Sequence, residues 1–138
     1  MPQFTGILET ALYVSDVHRS VEFYQRVLSA KPMVVQEDRF AALSIADKSV
    51  LLLFLHGGTT EPMELPGGTI PPHDGHGQLH MAFAATADEL PKWEMQLASQ
   101  NVAIEGRVKW ERGGISIYFR DPDENLLEII TPGVWPIY

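Results

Sequence analysis

Residues 8–14 read L-E-T-A-L-Y-V, and residues 79–85 read L-H-M-A-F-A-A. Laid one over the other, the two stretches keep the same alternation of apolar positions, and His80 falls on Glu9. Further along, D-K-S-V-L-L-L from Asp47 lies over D-E-N-L-L-E-I from Asp123, which puts Glu128 on Leu52. The two offsets, 71 and 76 residues, differ by only five. A repeat of this length is longer than any solenoid unit, so two copies predict one duplicated domain with a pseudo-two-fold axis.

Working outward, residues 7–14 are strand-like. Ser15-Asp16 then offers a helix N-cap ahead of an apolar series at Val17, Val21, Tyr24 and Leu28 with helical spacing. Three β-rich stretches follow, at 33–36, 39–45 and 49–56, the last two separated by the turn-like Ala46-Asp47-Lys48. Residues 57–78 are rich in Gly and Pro, too breakable for a helix and too interrupted for a central strand, and read as a linker or lid. Beyond it the order recurs: a strand at 79–85, a helix opening near Asp88 with Pro91 in its first turn, then strands near 103–108, 114–120 and 125–131. Leu90, Trp93 and Leu97 are the expected buried face of the second helix. The predicted fold is α+β: two βαβββ modules forming open, barrel-like mixed sheets. Module 1 spans about 5–57, the linker 58–77 and module 2 78–134, within a single domain covering 1–138.

Composition fits one ordinary domain: 138 residues, 45% of them hydrophobic, are enough to build a core. With 18 acidic against 10 basic residues the formal charge is −8, which disfavours nucleic acid and anionic membrane surfaces as partners. The longest apolar run, Val50 to Leu55, is strand-sized and far short of the roughly 18 residues of a membrane span. The N-terminal residues show no signal-peptide pattern, so the expected location is the cytoplasm. No cysteine is present, which excludes disulfides, thiolate-bound metals and thiol nucleophiles.

Side chains alternate across a strand. If Leu8, Thr10, Leu12 and Val14 face the helix, then Glu9, Ala11 and Tyr13 face the other side, as do His80, Ala82 and Ala84 in the second copy. Glu128 interrupts the apolar run Leu126-Leu127-Glu128-Ile129-Ile130, and a buried carboxylate needs a compensating cation. Glu9, His80 and Glu128 are therefore candidate metal ligands. One imidazole and two carboxylates suit Mn²⁺, Fe²⁺, Mg²⁺, Ni²⁺ or Zn²⁺, and three ligands leave positions open for substrate or water. Taken singly, Glu9 reads equally as a solvated strand residue, His80 as a histidine with a backbone or water partner, and Glu128 as neutralised by Arg120. Tyr13, Leu52 and Phe54 would line a small-molecule pocket with the alanines. His73 and His76 are secondary candidates for gating or binding substrate or for extra ligands, or are simply exposed in a Gly-rich loop. Trp110 is a stacking candidate and Arg112 a clamp for an anionic group or a surface turn residue. Tyr118 is either a proton donor in the pocket or a packing residue at its rim.

Three segments resemble a known superfamily: Y-V-S-D-V-H-R-S-V-E-F-Y-Q-R-V-L after the first strand, L-H-M-A-F-A opening the second half, and the ending F-R-D-P-D-E-N-L-L-E-I. The last is similar to the terminal F-x-D-P-D-G-N-x-x-E of the vicinal oxygen chelate superfamily, which holds glyoxalases, bleomycin-resistance proteins and extradiol dioxygenases. The resemblance covers nearly the whole chain. It implies a homodimer that chelates a small oxygenated substrate on a divalent ion held by Glu9, His80 and Glu128, with isomerase, lyase, transferase or ring-cleaving chemistry. A metal-free, drug-sequestering protein of the bleomycin-resistance type is the alternative it implies, with a scaffold using the fold only to dimerise as a third. The chain departs from the pattern where many members have His in place of Glu9, where glyoxalase I has a glutamate ligand in place of Leu52, and where Glu124 replaces the common Gly.

Overall fold

The computed structural model describes residues 1–138, which divide into two compact units, Met1–His76 and Gly77–Tyr138. The first unit runs β1 (Glu9–Val14), α1 (Val17–Leu28), β2 (Lys31–Gln36), β3 (Phe40–Ile45) and β4 (Ser49–Leu55), followed by a small hairpin, β5 (Met63–Leu65) and β6 (Gly68–Ile70). The second runs β7 (His80–Ala84), α2 (Leu90–Ser99), β8 (Gly106–Lys109), β9 (Ile115–Arg120) and β10 (Leu126–Ile130). Each unit contains one mixed four-stranded sheet, ordered β1-β4-β3-β2 and β7-β10-β9-β8. Both sheets are open rather than barrel-like, because in each the first and second strands remain unpaired edges.

Both units solve the same connection problem. β1 and β4 pair in parallel, as do β7 and β10, whereas the remaining pairings are antiparallel. A helix must therefore carry the chain from the first strand to the opposite edge before the sheet is filled inward. The internal repeat survives at the level of register. Glu9 stands opposite Val50 as His80 stands opposite Leu126, and Ala11 opposite Leu52 as Ala82 opposite Glu128.

Helix α1 begins where Asp16, in an extended conformation, accepts a hydrogen bond from the Arg19 amide at 3.0 Å. It ends at Ser29 in the left-handed region (φ 56°), whose N–H returns to the Tyr24 carbonyl. The buried stripe is Val17, Ser20, Phe23, Tyr24 and Val27, so the expected Val21 and Leu28 flank the contact instead of centring it. Small Ser20, wholly buried, lets the helix approach β2, β3 and β4 closely. Below it lie Leu12, Val14, Leu43, Leu51 and Leu53, each 4% exposed or less. The second unit repeats the arrangement with buried Ile117, Phe119, Leu127 and Ile129, while α2 buries Leu90 and Leu97 and leaves Trp93 half-buried. Each such side chain contributes about 1.5–3 kcal/mol of transfer free energy. An ion pair between Glu94 and Arg107 ties α2 to β8.

Two expectations change. The Gly/Pro-rich segment is not structureless: its β5–β6 hairpin turns through Pro66-Gly67 and belongs to the first unit. Three-residue strands carry too little periodicity to show in a sequence. The second unit's second β stretch also starts later than 103, at Gly106, after the turn at Asn101 (φ 57°).

Candidate functional site

The second unit assembles its site on the sheet face that alternation assigns to His80, Ala82 and Ala84. Those three are exposed while Met81 and Phe83 are half-buried. His80 Nδ1 lies 2.9 Å from the carbonyl oxygen of Leu126, its cross-strand partner. The same imidazole turns Nε2 toward Glu128, with Nε2 and Oε2 3.2 Å apart. The Glu128 side chain is only 7% exposed, against 51% for His80. Arg120 does not neutralise Glu128: its Nε donates to Glu105 at 2.7 Å and its Nη1 to the Glu124 carbonyl at 3.0 Å.

Tyr118 sits directly across the antiparallel ladder from Glu128, its ring centroid 6.4 Å from that of His80. Burial holds the phenol above its ordinary ionisation range; the Ser116 hydroxyl pulls the other way and the Glu128 carboxylate adds to the rise. Tyr118 therefore stays a proton-bearing donor at neutral pH. Trp110 spends its indole N–H on Ser116 Oγ at 2.8 Å, which leaves its ring as an apolar wall. These residues line a cavity of about 650 Å³ with Ala82, Ile130 and the tail residues Trp135 and Tyr138. Arg112 occupies the exposed turn between β8 and β9 and lines neither this cavity nor the one in the first unit.

The first unit carries Glu9, exposed at the start of β1, on a separate cavity of about 630 Å³. Leu52, Phe54 and His73 line it as well, and the β5–β6 hairpin supplies Met63, Leu65 and Ile70. Tyr13 stacks on Phe54 (5.9 Å) and its hydroxyl lies 2.6 Å from His73 Nδ1. His76 is not part of that wall; its ring meets His56 at 4.8 Å. Of the three predicted ligands the structure brings His80 and Glu128 together, and no three His, Asp or Glu side chains are grouped to hold an ion.

Sequence reading missed the residues that position His80. Asp121 (3% exposed) and Asn125 (1%) form a closed network. Asp121 Oδ1 accepts from the Asp123 and Asn125 amides, and Asn125 Nδ2 donates to Asp121 Oδ2, each at 2.9 Å. Asn125 Oδ1 then accepts from the Leu79 amide at 2.9 Å, anchoring β7 one residue before His80. The D-P-D-E-N signature is thus a clamp that sets the β7–β10 register. Trp135 and Tyr138 were missed too; their only signal was an aromatic tail outside the repeat.

In the comparison with protein families, residues 6–129 fit the model for the glyoxalase/bleomycin resistance protein/dioxygenase superfamily. The chain belongs to that superfamily. Within it, the chain is 33% identical over 119 residues to the metallothiol transferase FosB of Staphylococcus saprophyticus, covering 86% of this chain and 71% of that protein. It is 30% identical over 131 residues to the FosB of Bacillus licheniformis, covering 94% and 77%. A crystal structure of lactoylglutathione lyase from Agrobacterium tumefaciens superposes with a TM-score of 0.88 at 26% identity, over 98% of this chain and 99% of that one. As a further property of this glyoxalase-superfamily chain, no helix is long and apolar enough to cross a membrane.

Proposed function

We propose that the chain is a metal-dependent enzyme of the transferase or lyase type, acting on a small oxygenated molecule at a divalent ion held by His80, Glu128 and Glu9. The observation that carries this reading is the His80–Glu128 pair. A backbone carbonyl can only accept, so Nδ1 donates to Leu126, and Nε2 faces a carboxylate oxygen 3.2 Å away. A cation belongs between these two atoms, either a proton or a metal ion, because the Glu128 side chain is only 7% exposed. An imidazole that donates its other N–H to a backbone carbonyl is also the usual arrangement of a metal-ligating histidine. The donor set fits a hard or borderline divalent ion. The names of the FosB relatives, metallothiol transferases, point the same way.

The bound ion would polarise a substrate oxygen and stabilise negative charge developing there. Around it this chain's residues have separate tasks. Tyr118, kept protonated beside Glu128, donates to an oxygen that gains charge. Ala82 leaves room above the pair, and Trp110 excludes water from one side. Glu9 supplies the third ligand, a second carboxylate, from the same chain or from a second copy in a homodimer. The test is metal content after loading with Mn²⁺ and desalting, for wild type and Glu128→Gln. The expectation is about one ion per chain for wild type and at least about tenfold weaker retention for the variant; equal retention by both would reject the reading.

A further inference from the structure

The metal reading uses the first-unit cavity only at Glu9, yet this cavity is the better built for a ligand. Its 630 Å³ lie in the range of small-molecule sites; Phe54 and Phe40, 5.0 Å apart, form an aromatic wall, and Tyr13 stacks on Phe54 at 5.9 Å without itself lining the cavity. No Lys or Arg lines it, whereas two carboxylates, Glu9 and Glu61, do. In metal-free protein an anion would meet like charge there with no lining cation to offset it.

Its uncharged polar side chains are Thr10, Gln36, Thr59 and His73, and of these only His73 carries a ring. His73 packs edge-on against Phe54 at 4.7 Å, and its backbone is held at both ends by Thr59: the His73 amide donates to the Thr59 carbonyl at 3.0 Å, and Thr59 Oγ1 donates to the His73 carbonyl. Burial first, and then the Asp74 carboxylate, oppose ionisation of Tyr13, so its hydroxyl keeps its proton. With the phenol as donor and Nδ1 as acceptor across the 2.6 Å contact, the imidazole presents an N–H at Nε2.

We infer that this cavity binds an uncharged, ring-bearing molecule with a carbonyl or hydroxyl oxygen, that His73 Nε2–H donates to that oxygen, and that Tyr13 is the positioning residue that sets the tautomer. The inference rests on the proposed function in calling this molecule the substrate; the binding itself needs no ion.

The experiment titrates EDTA-treated protein, by ligand-observed NMR, with acetophenone, ethylbenzene and phenylphosphonate, which share a ring and differ in acceptor and charge. Acetophenone should bind about tenfold more tightly than ethylbenzene, and phenylphosphonate more weakly than either. His73→Phe should bring acetophenone down to the ethylbenzene level and leave ethylbenzene unchanged. In Tyr13→Phe, ¹⁵N NMR should show the His73 proton no longer confined to Nε2, a change that a packing role for Tyr13 would not produce. Phenylphosphonate binding as well as acetophenone, or His73→Phe weakening both neutral ligands equally, would overturn the inference. Failure here with metal retention intact strikes this inference alone; lost metal retention with acetophenone selectivity intact strikes only the metal reading.

Discussion

His80 donates from Nδ1 to the carbonyl of Leu126, the residue opposite it in the parallel β7–β10 ladder, across 2.9 Å. A strand pairing thus chooses which imidazole nitrogen meets Glu128. Any change that slips the ladder changes the chemistry of the site as well as its shape.

The clamp that fixes this ladder is testable apart from the ligands. Asn125→Ala removes the acceptor of the Leu79 amide and the side-chain donor to Asp121 Oδ2, while the backbone amides on Asp121 Oδ1 remain. It should cost about 1–3 kcal/mol in chemical denaturation and also weaken metal retention, because β7 loses its anchor next to His80. Asn125→Asp restores the acceptor toward Leu79 but sets a carboxylate against Asp121, and should be no better than alanine.

Glu128 has its repeat counterpart in Leu52, an apolar residue in the same register. In metal-free protein, Glu128→Leu should leave stability unchanged or raise it, since a desolvated carboxylate gives way to an apolar side chain while the half-exposed His80 keeps access to water. The same variant should lose the metal. Thermal melts in EDTA and after Mn²⁺ loading check both halves: the ion should raise the melting temperature of wild type alone.

Glu124 holds φ at 64°, where an L side chain is strained. Its side chain makes no contact that the fold uses, and its carbonyl, which accepts from Arg120, survives substitution. Glu124→Gly should therefore stabilise the chain by about 1 kcal/mol, read as a higher denaturation midpoint with unchanged slope.

Asp74 pins the segment after the β5–β6 hairpin, accepting from the Gly57 amide at 3.1 Å. That hydrogen bond, first among the causes, lowers its carboxyl below the ordinary range, with His56 and His76 adding to it. A depressed folded-state value means the stabilisation is complete above the unfolded value and is lost as pH falls through the folded one. The stability difference between wild type and Asp74→Asn should accordingly be constant near neutrality and vanish in acid, and the Gly57 amide should exchange faster as it does.

Much of this was legible because it is periodic. Alternation assigned Glu9 and His80 to equivalent strand positions, the repeat assigned Glu128 and Leu52, and the observed registers pair all four as the overlay implies. What stayed hidden lacks a period. The β5–β6 hairpin is three residues a side, the Asp121–Asn125 clamp is a local turn whose purpose lies in its long-range bond to Leu79, and Trp135 and Tyr138 reach their cavity by tertiary folding alone. The α1 stripe shifted by a position because Ser20, polar by type, is buried by size.

Glu9, His80 and Glu128 are proposed to share one ion, and a mixture of two variant chains decides whether they do. Glu9→Gln and Glu128→Gln chains should each retain Mn²⁺ at least about tenfold more weakly than wild type. When the two are unfolded and refolded together, recovery of tight binding at a fraction of sites would assign Glu9 to a second copy; no recovery would assign it to the same chain. Mn²⁺ retained at the wild-type level by either single variant would contradict the account.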